Sequence, residues 1–100
     1  MNDTDIVSIK ASQSQYVPAG DLLGTMYYSG FISAVLAPKE YRGFPHNGGE
    51  HSLTLTMPVQ DLRIFLGLVR ERFSWHKGFE EFIASVTERL QKKYPTIQVA

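Results

Sequence analysis

Three patterns in this 100-residue chain predict an α+β fold. The expected architecture is a small antiparallel sheet of about three to four strands, with two C-terminal amphipathic helices packed on one face. The first pattern is HSLTLTM at 51–57, where Leu53, Leu55 and Met57 alternate with Ser52, Thr54 and Thr56. Period-two alternation marks a strand with one buried and one wet face. The second is a pair of apolar stripes at helical spacing, one after Pro58 and one after Gly78. The third is order: strand-like segments come first and helices follow. The length suits one domain, residues 1–100, with a single core.

Each element has its own signals. Asp5 to Lys10 (DIVSIK) reads as a short strand, with Ile6, Val7 and Ile9 supplying β propensity. Ala11 to Gly20 is polar and turns at Pro18-Ala19-Gly20. Leu22 to Pro38 follows, seventeen consecutive residues without a charge. As a helix this run aligns Leu22, Leu23, Met26, Tyr27, Phe31, Ala34 and Val35 on one stripe. As a strand it places Met26, Tyr28, Ile32, Ala34 and Leu36 on one face, with Tyr27, Phe31 and Val35 on the other. Gly24, Gly30, Thr25, two Tyr, Phe, Ile and Val favour the strand by local propensity, so a strand from about Thr25 to Leu36 is expected. The run is short for a bilayer span and too rich in Gly, Ser and Tyr to face lipid.

Lys39 to Glu50 is a long loop punctuated by Gly43, Pro45 and Asn47-Gly48-Gly49. After the 51–57 strand, Pro58 suits the first position of a helix, and Asp61 complements the dipole in its first turn. Leu62, Phe65, Leu66, Val69 and Phe73 form the buried stripe, with Arg63, Arg70 and Glu71 outward. Ser74 to Gly78 breaks the pattern. A second helix runs to about Lys93 on the stripe Phe79, Phe82, Ile83, Val86 and Leu90, and Pro95 ends it. Thr96 to Val99 is available for a short last strand.

Composition excludes several functions. Net charge is zero, which opposes a broad basic nucleic-acid face. The chain contains no cysteine, so disulfides, thiolate nucleophiles and Cys-based zinc sites are absent. The acidic start MNDTDIVSIK lacks a signal-peptide pattern, and a cytoplasmic protein is expected.

The chemistry-bearing clusters are sparse. His46, Glu50 and His51 superficially suggest a zinc site, which His76 would complete. Two His five apart, separated by Asn-Gly-Gly, do not share a helical face. Acid–base chemistry would need His46, His51 or His76 beside Asp61 or Glu50, and no spacing supports it. This small enzyme or metal-binding domain is the rival reading; the preferred one has no catalytic residues, metal or cofactor. A weak single-stranded nucleic-acid binder would use Arg63, Arg70, Arg72 and Lys77 with stacking Tyr27, Phe31 and Tyr41. Asp61 and Glu71 interrupt those cations, so a solvated helix face is the plainer account.

The preferred reading is a protein-binding module, a small regulator or inhibitor of the size of a phage accessory protein. Tyr27 and Phe31 would lie on a sheet face that nothing in the chain covers, and uncovered apolar surface marks interaction sites. Tyr41, Arg42, Phe44 and His46 in the 39–50 loop add residue types that anchor interfaces. Trp75, at the interhelical turn, joins them, although a cap over the core beneath the helix pair is its plainer role. The partner is a second copy, forming a homodimer, or a larger target; neither nucleic acid nor membrane is expected.

Overall fold

A computed structural model of the chain describes residues 1–36, 41–42 and 50–99. It is α+β. The elements are β1 (Ile6–Ser14), α1 (Pro18–Tyr28), α2 (Phe31–Leu36), β2 (Tyr41–Arg42), β3 (Glu50–Pro58), α3 (Val59–Phe73) and α4 (Phe79–Lys93).

The sheet is built on an antiparallel pair. β1 and β3 run in register from Ile6 opposite Pro58 to Ser14 opposite Glu50. The two-residue β2 pairs on the other side of β3, opposite Leu55 and Thr54. β1 is longer than its apolar start suggests. Ala11 keeps the inward alternation while Lys10, Ser12 and Ser14 point the other way, so the polar letters continue the strand. Val7, Ile9, Ala11, Leu53, Leu55 and Met57 are buried on one face.

From Leu22 to Leu36 the uncharged run lies in two helices joined at Ser29-Gly30, which corrects the strand expected over 25–36. Pro18 opens α1, where its missing N–H costs nothing, and Asp21 stands in the first turn. Ala19, Leu22, Leu23 and Met26 are fully buried against the sheet and the other helices. β propensity is a weak force beside that packing. Gly30 adopts φ 83°, a left-handed conformation that suits glycine, just past the α1 C-cap Ser29. Its N–H donates to Tyr27 O at 3.2 Å, and α2 starts in a new direction. Gly30 therefore ends a helix instead of interrupting a strand.

Gly24 and Gly20 have a different use. A Cβ on Gly20 would collide with the backbone of Ser14, and one on Gly24 with the ring of His51. Glycines four apart share a helix face. This pair lets α1 approach the end of β1 and the start of β3 more closely than any side chain would allow.

The downstream helices follow their stripes. Val59, Leu62, Phe65, Leu66, Val69 and Phe73 of α3 are buried, as are Phe79, Phe82, Val86 and Leu90 of α4. Pro58 is the last residue of β3, so α3 starts one residue later than expected. The first N–H groups of α3 find acceptors upstream: Val59 N donates to Asp5 O and Gln60 N to Asp3 O, both at 3.0 Å. Thr96 to Val99 forms no strand. The segment leaves α4 through a turn, buries Ile97 in the core and presents Gln98 O to Arg63.

Candidate functional site

The turn between α3 and α4, Ser74 to Gly78, carries the single tryptophan of the chain. Trp75 is 71% exposed. Its indole N–H donates to Arg72 O at 2.5 Å, which folds the ring back over the end of α3. The Trp75 ring lies 6.2 Å from Phe73 and 5.5 Å from His76, centroid to centroid. Phe73 in turn meets Phe31 edge-on at 5.0 Å, and Phe31 reaches Phe65 at 6.0 Å. The row therefore runs from the core to the surface. The Arg72 guanidinium lies 5.6 Å from the centre of the Phe31 ring, a cation–π distance.

The turn beneath Trp75 is tightly held. His76 N donates to Phe73 O at 3.0 Å, and Phe79 N donates to His76 O at 3.1 Å. The His76 side chain is buried, and both ring nitrogens are used. Gly78 N–H donates to Nδ1 at 2.9 Å, so the ring proton belongs on Nε2, which meets Asp21 Oδ2 at 3.0 Å. A Cβ on Gly78 would run into the carbonyl of Pro18. The turn is thus clamped to the first turn of α1 by one hydrogen bond, from His76 Nε2 to Asp21, and one backbone approach.

These contacts answer the site residues read from sequence. Phe31 is 4% exposed, so the uncovered sheet face carrying Tyr27 and Phe31 does not exist. Helical geometry turns Phe31 and Ile32 inward, and Gly30 sets that direction. Tyr27 is half-buried, packs on the core and meets the Tyr28 ring edge-on at 5.2 Å. Trp75 is no core cap: it stands in solvent above Phe73. Tyr41 and Arg42 belong to β2, and their side chains are not described; Phe44 and His46 lie outside the described residues.

The histidine reading loses its geometry. His51 is buried on the core face of β3, with Nδ1 3.1 Å from Gly20 O and its ring against Gly24. Glu50 accepts the Ser12 hydroxyl on the opposite face. His76 has no nitrogen to spare for a metal or a substrate. Among the described residues, no group of three His, Cys, Asp or Glu is placed to hold a metal ion. No helix among them is long and apolar enough to cross a membrane.

The basic residues proposed for nucleic acid are dispersed. Arg63 donates to Asp3 Oδ1 at 2.5 Å and to Gln98 O at 2.8 Å, tying both ends of the described chain to α3. Arg72 lies over Phe31. Arg70 and Lys77 remain exposed, with Glu71 between them and Glu80 and Glu81 shortly after Lys77 in sequence.

One set of contacts was missed by sequence reading. Ser85, Arg89 and Lys93 recur every four residues on α4, and all three bond to β1. The spacing was visible, but only the sheet supplied its meaning.

No protein family, curated protein or solved structure matches the chain.

Proposed function

We propose that the protein is a binding module that docks onto another protein through the α3–α4 turn, with Trp75 as the anchor and Arg72 beside it. The observation that carries this reading is the state of the indole. Its N–H is satisfied by Arg72 O within the same turn. A partner can therefore bury the ring in an apolar cleft without stranding a donor, which would otherwise cost about 1–3 kcal/mol. The side chain is also held by its hydrogen bond and by Phe73 and His76, so little rotamer freedom is lost on docking. Trp and Arg are the residue types that dominate interface energies. Among the described residues, the other exposed large apolar side chains, Met1, Ile6, Tyr16, Tyr28 and Ile64, are scattered along the chain.

The partner is a larger protein or a second copy. Differential capture from the native source tests this, with Tyr16→Ala as an exposed-aromatic control. A partner held by wild type and by the control, and lost with Trp75→Ala, supports the reading. Sedimentation of wild type against Trp75→Ala gives the self-association arm. Identical capture and identical mass for wild type and Trp75→Ala would sink it.

A further inference from the structure

Among the described residues, β1 is the outer strand of its sheet, with β3 on one side only. An outer strand nine residues long presents a row of backbone groups that invites another strand. Here four groups of that row, Ser8 N and O, Lys10 O and Ser12 O, are occupied by side chains. Arg89 donates through Nη1 to Lys10 O and through Nη2 to Ser12 O, the latter at 3.1 Å. Lys93 Nζ donates to Ser8 O at 2.6 Å. The Tyr94 hydroxyl accepts from Ser8 N at 2.9 Å and lies 3.3 Å from Ser8 O. At the far end, Gln13 Nε2 donates to Ser85 Oγ at 2.8 Å.

The arrangement follows from two repeats that nearly coincide. Four residues of helix advance ~6 Å, and two residues of strand advance ~6.7 Å. Ser85, Arg89 and Lys93 therefore meet Gln13, then Ser12 and Lys10, then Ser8, as α4 runs antiparallel to β1. Each stands one residue before a core-facing position (Val86, Leu90) or the Tyr94 cap, about 100° around the helix axis. The core stripe holds the helix, and the neighbouring stripe reaches around to the strand edge.

We propose that this stripe is an edge guard: Arg89, Lys93 and Tyr94 stand where a neighbouring strand would hydrogen-bond, and the occupant they exclude is β1 of a second copy of this chain. The strand is self-complementary when paired antiparallel about Ala11. Lys10 then lies opposite Ser12 and Ser8 opposite Ser14, so no like charges face each other. Ser8, Lys10 and Ser12 are the residues whose carbonyls point outward, which are the ones such a pair must use. Because the inner side of β1 is already taken by β3, the pair closes as a two-fold dimer. This guard is independent of the Trp75 surface.

The test is the double variant Arg89→Ala/Lys93→Ala, followed by sedimentation velocity from micromolar to near-millimolar concentration, with a circular-dichroism melt as the folding check. The expected result is an apparent mass that rises with concentration from that of wild type towards twice that mass. Lys10→Pro in the same background should reverse it, because the Lys10 N–H points outward and proline removes it without touching the bonds to β3. If the double variant fails to melt cooperatively, Arg89→Met/Lys93→Met keeps the apolar stems, removes only the donors, and is read in the same way. A folded variant with the mass of wild type at every concentration overturns the proposal. So does an association that survives Lys10→Pro, or a wild-type dimer that Lys10→Pro abolishes.

Discussion

Phe31 and Trp75 flank the same ring, Phe73, yet one is 4% exposed and the other 71%. The α1–α2 segment and the α3–α4 turn thus bring comparable apolar payloads to one place and dispose of them oppositely. Phe31 starts α2 immediately after the left-handed Gly30, and that change of direction sends it down onto Phe73 and Phe65. Trp75 follows the C-cap of α3, and the carbonyl of Arg72 takes its N–H before the ring can turn inward. Hydrophobicity alone does not separate the two. Backbone direction decides the first, and a polar handle satisfied at the surface decides the second.

The contrast can be broken most forcefully at Phe31. Phe31→Glu places a carboxylate among Phe65, Phe73 and the core, at a cost on the order of 5 kcal/mol, comparable to the whole stability of a small domain. The variant should show no cooperative melt. A folded protein with an unchanged urea midpoint would return Phe31 to the surface. Gly78→Ala comes next, because it strains the joint that sets the turn against α1. The backbone at Gly78 (φ −93°, ψ 1°) suits any residue, so the Pro18–Ala19 peptide alone opposes the methyl group. A loss of about 3 kcal/mol is expected, with the denaturant slope unchanged. A neutral result would mean the two segments are not clamped. Trp75→Ala should have the smallest effect on folding, within about 0.5 kcal/mol, as for other surface positions. If its midpoint drops as far as that of Gly78→Ala, the ring is holding the fold and the binding role fails.

Much of the fold was legible because it depends on period. Leu53, Leu55 and Met57, and the stripes of α3 and α4, bury the side chains their spacing marks, except that Ile83 of the α4 stripe is only half-buried. α1 was misread for a definite reason. Its glycines, tyrosines and threonine argue for a strand when each residue is scored alone, while Pro18, Asp21 and the Leu22-Leu23-Met26 spacing argue for a helix. The second set wins because a helix starting at Pro18 can seat Gly20 against Ser14 and Gly24 against His51. Those approaches join residues far apart in the chain, and no local count registers them. The misplacement of Phe31 follows from the same error: a strand through 25–36 would have put Phe31 on an open face. Arg63 shows the same limit in a polar group. Read as a solvated or phosphate-facing cation, it instead bonds Asp3 and Gln98, two residues that only the folded chain brings near it.

The sequence by itself determined the α+β class, the alternation of β3, the core stripes of α3 and α4, and the absence of thiol chemistry. These follow from residue type and from the periods of two and 3.6, which are properties of short segments. The tertiary structure alone decided that residues 22–36 fold as two helices, that Phe31 is core and Trp75 surface, and that Arg89 and Lys93 face a strand edge. Each of those outcomes depends on which distant backbone stands beside a residue, and that backbone decides whether a Cβ fits, whether an N–H or C=O is satisfied, and whether a ring is covered.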